Sequence, residues 1–243
     1  MEAWKERLYA RYVSTGQAMV ASVTPECFDL SRHGQLIATL RGVLPDRRDV
    51  RIVDVACGHG LLLQCANALG YTQLHGCDVS AEQVSLAHRM GMEQVVCQDL
   101  AGFLSERQAA FDIVFAMDVL EHLTKAELLD CLDMIGRALV PGGRVVIHVP
   151  NAEGLFGMRV RYGDLTHETA FTEFSMAQLL RATGFENIRC EEERPHVHGL
   201  KSAVRRGLWH VLTAPSRLLL AAETGQFGHL LSQNMLVTAG KAK

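Results

Sequence analysis

Several features are missing from this chain, and each absence closes off a class of protein. No apolar run is long enough to span a bilayer, and the opening Met1-Glu2-Ala3-Trp4-Lys5-Glu6-Arg7 is charged where a secretory leader is apolar. A surplus of one charge is missing too. The chain has 24 lysines and arginines against 27 aspartates and glutamates, a formal charge of −3, so no nucleic-acid partner is expected. The seven cysteines, at 27, 57, 65, 77, 97, 131 and 190, are odd in number and form no C-x-x-C pair. Several fall in apolar strand runs, which reads as buried, reduced thiols in a reducing compartment. Internal repeats and low-complexity segments are also absent. What is left is a cytoplasmic globular chain. Its 243 residues, 48% hydrophobic and 21% charged, suffice for one sizeable α/β domain with small appended lids.

What is present begins with an alternation of short apolar strands and helices. Helices are expected over 2–14 and 31–43, the second capped by Ser31 and stopped by Pro45. Strand 51–55 leads to helix 60–69, strand 73–77 to helix 81–90 behind a Ser80 cap, and strand 94–97 to a short helix at 102–108. Strand 111–116 precedes a helix starting near 118–121 and another at 124–139, which Pro141-Gly142-Gly143 breaks before strand 144–149. Helix 175–183, strand 187–193 and strand 233–239 complete the pattern. Such an order implies a seven-stranded, mostly parallel, Rossmann-like sheet covered on both faces, with ligands beyond the strand carboxyl ends. The chain divides into an N-terminal helical cap over 1–45 and a core sheet over 50–193 and 232–240. Two stretches break the alternation, 150–174 and 195–231, and both are expected as lids or substrate walls.

The densest signal is Val53-Asp54-Val55-Ala56-Cys57-Gly58-His59-Gly60, a buried strand ending in a carboxylate, then a glycine turn opening a helix. Glycines let a backbone approach a ligand closely, and a helix start presents free N–H groups. Asp78 follows Gly60 by 18 residues at the end of the second strand, where an acid can accept both hydroxyls of a ribose. A dinucleotide fingerprint would need a third glycine, and that position is Leu63. Asp54 would repel a pyrophosphate but suits an ammonium group. Acidic residues at 54, 78, 99 and 118 all fall at or just past strand ends.

These motifs resemble the class I S-adenosylmethionine-dependent methyltransferases. Asp54-x-x-x-Gly58-x-Gly60 matches the family's first motif, Asp78 its ribose-binding acid, Gln98-Asp99-Leu100 its adenine segment, and Pro141-Gly142-Gly143 the turn before its fifth strand. Ala56 departs from a glycine common there. The resemblance implies a methyl donor held by Asp54, Ala56, Gly58, Gly60, Asp78, Val79, Asp99, Leu100 and Met117, and an in-line transfer of its methyl group to a nucleophile.

A second cluster, Asp118-Val119-Leu120-Glu121-His122 with Thr166-His167-Glu168 farther on, is expected at the acceptor side. On a helix, residues 118, 121 and 122 would share a face and, with His167, could hold Mg²⁺ or Mn²⁺. The pattern resembles that of ubiquinone-pathway O-methyltransferases and small-RNA 2′-O-methyltransferases, which implies Asp118, Glu121, His122 and His167 as metal ligands. Asp118 stands where those groups more often have Glu. The alternative is that Glu121 and His122 merely cap the helix start. His167 then serves alone as general base, or only holds the lid.

The segment from Arg161 to Thr172, with Leu8-Tyr9-x-x-Tyr12, is similar to methyltransferases of polysaccharide and natural-product pathways, which implies O-methylation of a sugar hydroxyl. Arg159, Arg161, Asp164, His196 and His198 agree with a polar acceptor pocket. No Asn/Asp-Pro-Pro-Tyr motif of nucleic-acid amino methylases is present. Two other readings stay open: a quinone-precursor or polyphenol O-methyltransferase, and a non-catalytic partner subunit of the same fold. His59 falls within the cofactor turn, and Tyr9 and Tyr12 are candidates for a lid. Across 204–222, Arg205, Arg206 and Arg217 alternate with Trp209, Leu212, Leu218, Leu219 and Leu220. This basic amphipathic pattern fits a membrane surface, its own domain or a twin subunit in a homodimer.

Overall fold

The computed structural model describes residues 3–9 and 33–242. Its seven strands are β1 Ile52–Val55, β2 Leu74–Asp78, β3 Val95–Cys97, β4 Phe111–Met117, β5 Leu139–Pro150, β6 Phe185–Glu192 and β7 Asn234–Lys241. They form one sheet in the order β3-β2-β1-β4-β5-β7-β6. β1 to β5 run parallel, and β7 is antiparallel to both β5 and β6. The helices are α1 Ala3–Tyr9, α2 Gly34–Val43, α3 Leu61–Ala68, α4 Ala81–Arg89, α5 Leu100–Ser105, α6 Lys125–Ala138, α7 Gly157–Arg161, α8 Glu173–Ala182 and α9 Leu200–Thr224. No helix among the described residues is long and apolar enough to cross a membrane.

The apolar pattern explains the layering. All four residues of β1 are buried, as a central parallel strand covered on both sides requires. One face packs Val53, Val55 and Val114 with Phe103 of α5, Leu132 and Ile135 of α6 and Leu180 of α8. The other packs Ile52, Ile113 and Phe115 with Leu40 of α2, Leu63 of α3 and Val84 of α4. Strand order reverses between β1 and β4, which opens a crevice at their carboxyl ends. Every expected strand and the main helices are present, with boundaries moved by a few residues.

Three details differ from the sequence expectation. The helix of 102–108 runs 100–105, because Asp99 caps it two residues early by accepting Gly102 N–H at 2.7 Å. Pro141-Gly142-Gly143 lies inside β5 and not between helix and strand: α6 stops at Ala138, and Leu139 already pairs with Phe111. Gly142 is left-handed (φ 75°), and a Cβ on Gly143 would sit 2.9 Å from the Val140 carbonyl, so these residues bulge from the ladder. Third, α2 begins at Gly34 with no side-chain cap; Ser31, Tyr12 and Cys27 lie outside the described residues.

Candidate active site

Ala56, Gly58 and Gly60 all hold left-handed backbone (φ 54°, 54° and 74°). The departure at Ala56 thus falls where a β-carbon is strained, and the reason for a family glycine is visible in the dihedral. The turn is clamped from β2. Asp78 accepts Gly58 N–H on Oδ2 and Ser80 N–H on Oδ1, each at 2.8 Å. A carboxylate has about four acceptor positions, so each oxygen keeps one for a ribose hydroxyl. Asp54 is buried and its Oδ1 has no partner among the described residues. Burial, then the neighbouring Asp78 and Asp118, hold the Asp54 carboxyl well above the usual range. An unpartnered carboxylate oxygen beside a glycine turn fits a cationic ligand such as the ammonium or sulfonium of a methyl donor. Asp99 and Val79 are exposed, and Leu100 and Met117 half-buried, around the same edge. His59 is half-buried beside Gln83, and burial lowers its pKa.

Past β4 the chain departs from the expected helix. Asp118 is left-handed (φ 55°), and only Leu120–His122 form a 3-10 turn before the Thr124–Glu127 capping box starts α6. Residues 118, 121 and 122 therefore do not share a helix face. Glu121, His122 and His167 do meet: one ligand atom from each lies within 4.8 Å of the others. Asp118 is not in that group, which corrects the four-ligand expectation. Its Oδ1 is 2.6 Å from His148 Nδ1, and its backbone N–H donates to the His148 carbonyl at 3.0 Å. The left-handed turn swings its short side chain toward β5 and away from Glu121.

The three-residue cluster is held from several sides. Lys5 of α1 donates to the His122 carbonyl at 2.9 Å and pairs with Glu168 at 2.8 Å. Glu168 and Thr169 N–H groups donate to the Glu121 carbonyl, closing the 150–174 loop over the turn. Thr166 Oγ1 donates to Asp164 Oδ1 at 2.6 Å and contacts His122 Nδ1 at 2.9 Å. Thr166 thus links Asp164 to the His122 ring and fixes its orientation. Glu121 Oε2 and His167 Nδ1 are buried without partners among the described residues. Burial and then Asp118 push the Glu121 carboxyl up to about 8. Burial and then His167 push His122 down to about 4. A buried acid and an imidazole with open acceptor atoms, next to a second imidazole kept neutral, fit a divalent cation.

A cavity of about 770 Å³ lies between α2, β5, β6 and α9, lined among others by Met117, Asp118, His148, Glu193, His196 and Arg206; Glu121, His122 and His167 do not line it, and Asp118 is the lining residue nearest them in the chain. His148 was not singled out in the sequence. It bridges Asp118 (2.6 Å) and Glu193 (Nε2 to Oε2, 3.2 Å). Burial opposes its charge, but the two carboxylates outweigh burial and push it up to about 10. A lone histidine in the apolar run Val145-Val146-Ile147-His148-Val149 was the available signal. Of the expected pocket residues, His196 lines the cavity with His198 stacked behind it (ring centroids 6.1 Å). Arg161 and Asp164 have structural partners instead, the Glu168 carbonyl and Thr166.

A family model for a methyltransferase domain matches residues 28–189, two thirds of the chain. The chain belongs to the methyltransferase-domain family. A bovine (Bos taurus) protein named "Probable tRNA methyltransferase 9B" is 35% identical over 101 residues, covering 40% of this chain and 21% of that protein. A "Ubiquinone biosynthesis O-methyltransferase" from Xanthomonas oryzae pv. oryzae is 31% identical over 111 residues, covering 44% of this chain and 45% of that one. The matches thus span less than half the length of these relatives. Among solved structures, a SAM-dependent methyltransferase from Archaeoglobus fulgidus superposes with a TM-score of 0.64 at 21% identity, covering 85% of this chain and 93% of that chain. A Haemonchus contortus phosphoethanolamine N-methyltransferase 2 gives 0.58 at 22% identity, covering 86% and 52%. These likenesses agree on the Rossmann-like methyltransferase fold.

Proposed function

We propose that this chain is an S-adenosylmethionine-dependent methyltransferase that transfers the donor's methyl group to a hydroxyl of a polar, sugar-like small molecule. The observation that carries the reading is the meeting of Glu121, His122 and His167 beside the cofactor edge, with open acceptor atoms on Glu121 and His167. An alcohol needs help to lose its proton, whereas a neutral amine does not, so such a cluster favours oxygen over nitrogen. His167 takes the proton of the acceptor hydroxyl while the oxygen gains the methyl carbon and the donor sulfur keeps the bond electrons. Glu121 and the Thr166-oriented His122 hold the acceptor oxygen in line. A Mg²⁺ or Mn²⁺ ion on Glu121, His122 and His167 would lower the acidity barrier of that hydroxyl; in that arrangement His167 is ligand and not base. The charged and hydrogen-bonding wall of Asp118, His148, Glu193 and His196 supports a polyol over an apolar ring.

A second reading has one observation in its favour: the similarity to ubiquinone-biosynthesis O-methyltransferases, which supports a phenolic acceptor. Two steps separate the readings. S-Adenosylhomocysteine is titrated calorimetrically into EDTA-treated protein, with and without Mg²⁺ or Mn²⁺. Methyl transfer is then followed by mass spectrometry on nucleotide sugars and glycosides against catechols and polyprenyl phenols. Methylated sugars with inert phenols support the proposal; the reverse result replaces it with the phenolic reading. S-Adenosylhomocysteine binding without a separate metal heat leaves His167 as base.

A further inference from the structure

α9 is inside out. Its 25 residues form a rod about 37 Å long, and the side that docks on the domain is polar. Ser202, Arg206, Trp209, Thr213 and Arg217 face inward. Arg206 donates to the Pro195 carbonyl at 3.1 Å, and Arg217 to the His229 carbonyl at 2.6 Å and to buried Glu192 at 2.5 Å. Ser202 and Thr213 are buried and bond back to the Gly199 and Trp209 carbonyls. The outward side carries Val204, Leu208, Val211, Leu212, Leu218 and Leu219, between 55% and 71% exposed. Together they offer on the order of 500 Å² of contiguous apolar surface, at the upper end of what a monomer leaves open and of the size that often marks an interaction site.

We infer that this face pairs with α9 of a second copy of the chain, antiparallel across a twofold axis. The pattern is that of a helix–helix seam. Val204, Leu208, Val211, Pro215, Leu218 and Ala222 follow alternate steps of four and three, the spacing that keeps a stripe against a partner helix. The charges at the two ends are self-complementary. Lys201 and Arg205 stand at the start of the outward face and Glu223 at its end, all exposed, with Leu212 midway between Lys201 and Glu223. Crossing two copies at Leu212 brings Lys201 of each toward Glu223 of the other, an isologous contact. The area matches as well: six large side chains and their flanks supply most of the roughly 800 Å² per partner that a stable interface needs. An anionic lipid surface fits less well. An interfacial helix relies on a strongly basic polar face, and here Arg206 and Arg217 are turned inward onto carbonyls and Glu192.

Sedimentation velocity of the full chain over a hundredfold concentration range tests this. The wild type is expected to be a dimer. Leu212→Glu, at an exposed site that leaves the monomer intact, should raise the dimer dissociation constant about 100-fold or more, with unchanged circular dichroism. Lys201→Glu should weaken pairing up to about tenfold, and adding Glu223→Lys should restore it. A wild-type monomer, or a dimer indifferent to Leu212→Glu, overturns the inference. Flotation of a monomeric wild type with phosphatidylglycerol vesicles, lost in Leu212→Glu, overturns it too and assigns the face to lipid.

Discussion

Replacing His148 with Gln tests whether the Asp118–His148–Glu193 bridge is charged, because the effect on stability must then depend on pH in a defined way. His148 rises from an ordinary 6.5 to about 10 in the fold. A group whose pKa is raised on folding stabilises fully below its unfolded value, and loses that contribution as pH climbs through the folded value. The contribution of His148 is therefore whole below about pH 6.5, falls steadily above it and vanishes past about pH 10. Asp118 and Glu193 set the acid limit. Burial works against charge on Asp118, but His148 holds its carboxyl below 3.8; the His148 hydrogen bond likewise holds Glu193 below 4.5. Their contribution is present above those ordinary values and is lost as pH falls through the lowered ones. Taken at face value the histidine shift corresponds to about 5 kcal/mol. Both carboxylates are open to water, at 61% and 36% exposure, so screening reduces this to about 2 kcal/mol. Urea unfolding of wild type and His148→Gln from pH 5 to pH 10.5 should show a gap of about 2 kcal/mol near pH 6 that closes by about pH 10. A constant gap over that range, or an imidazole titrating near 6.5 by NMR, would refute a charged bridge.

Three further outcomes follow from the site. Asp78→Asn exchanges a carboxylate oxygen for a donor opposite the Gly58 or Ser80 N–H, and should weaken S-adenosylhomocysteine binding by about 10- to 100-fold in calorimetry; an unchanged Kd removes Asp78 from the cofactor site. His167→Ala should lower turnover by about 100-fold or more while S-adenosylhomocysteine affinity holds, and equal turnover would exclude it from the chemistry. Gly157→Ala places a β-carbon against the Asn151 carbonyl at the foot of the 150–174 loop, and should cost about 3 kcal/mol in a urea melt; a wild-type midpoint would show that α7 shifts freely.

The fold and the cofactor edge were legible because their signals are local. Strand runs such as Ile52–Val55 bury every residue, and glycines at 58 and 60 answer directly to positive φ. Asp78 could be placed because a strand end fixes it. The acceptor side was harder. Spacing of three and four residues reads as one face only if the backbone is helical, and Asp118 adopts the left-handed conformation that an aspartate tolerates. Its partner His148 is 30 residues away, across β4 and β5, where no periodicity relates them. α9 exposes a different limit. Its amphipathic pattern was plain, but the spacing of apolar residues does not say which side meets the domain, and the docking contacts of Arg206 and Arg217 are made with segments distant in the chain.

Asp118 stands where the proposed cofactor and acceptor sites meet. It ends β4 at the reversal of strand order, so cofactor turn and acceptor cluster both begin within one residue step of the same place. On a helix, Asp118, Glu121 and His122 would share one face; the left-handed residue breaks that face. Its own carboxylate is drawn to β5 by His148, while the 3-10 turn carries Glu121 and His122 toward His167. At the cofactor edge, burial works against charge on both Asp54 and Asp78. Asp118 keeps its charge through His148, and buried Glu121 is pushed toward its neutral form. Neutralising Asp118 therefore has a different consequence from neutralising Asp78: it frees His148 and Glu193 at the acceptor wall, and leaves the Gly58 clamp untouched.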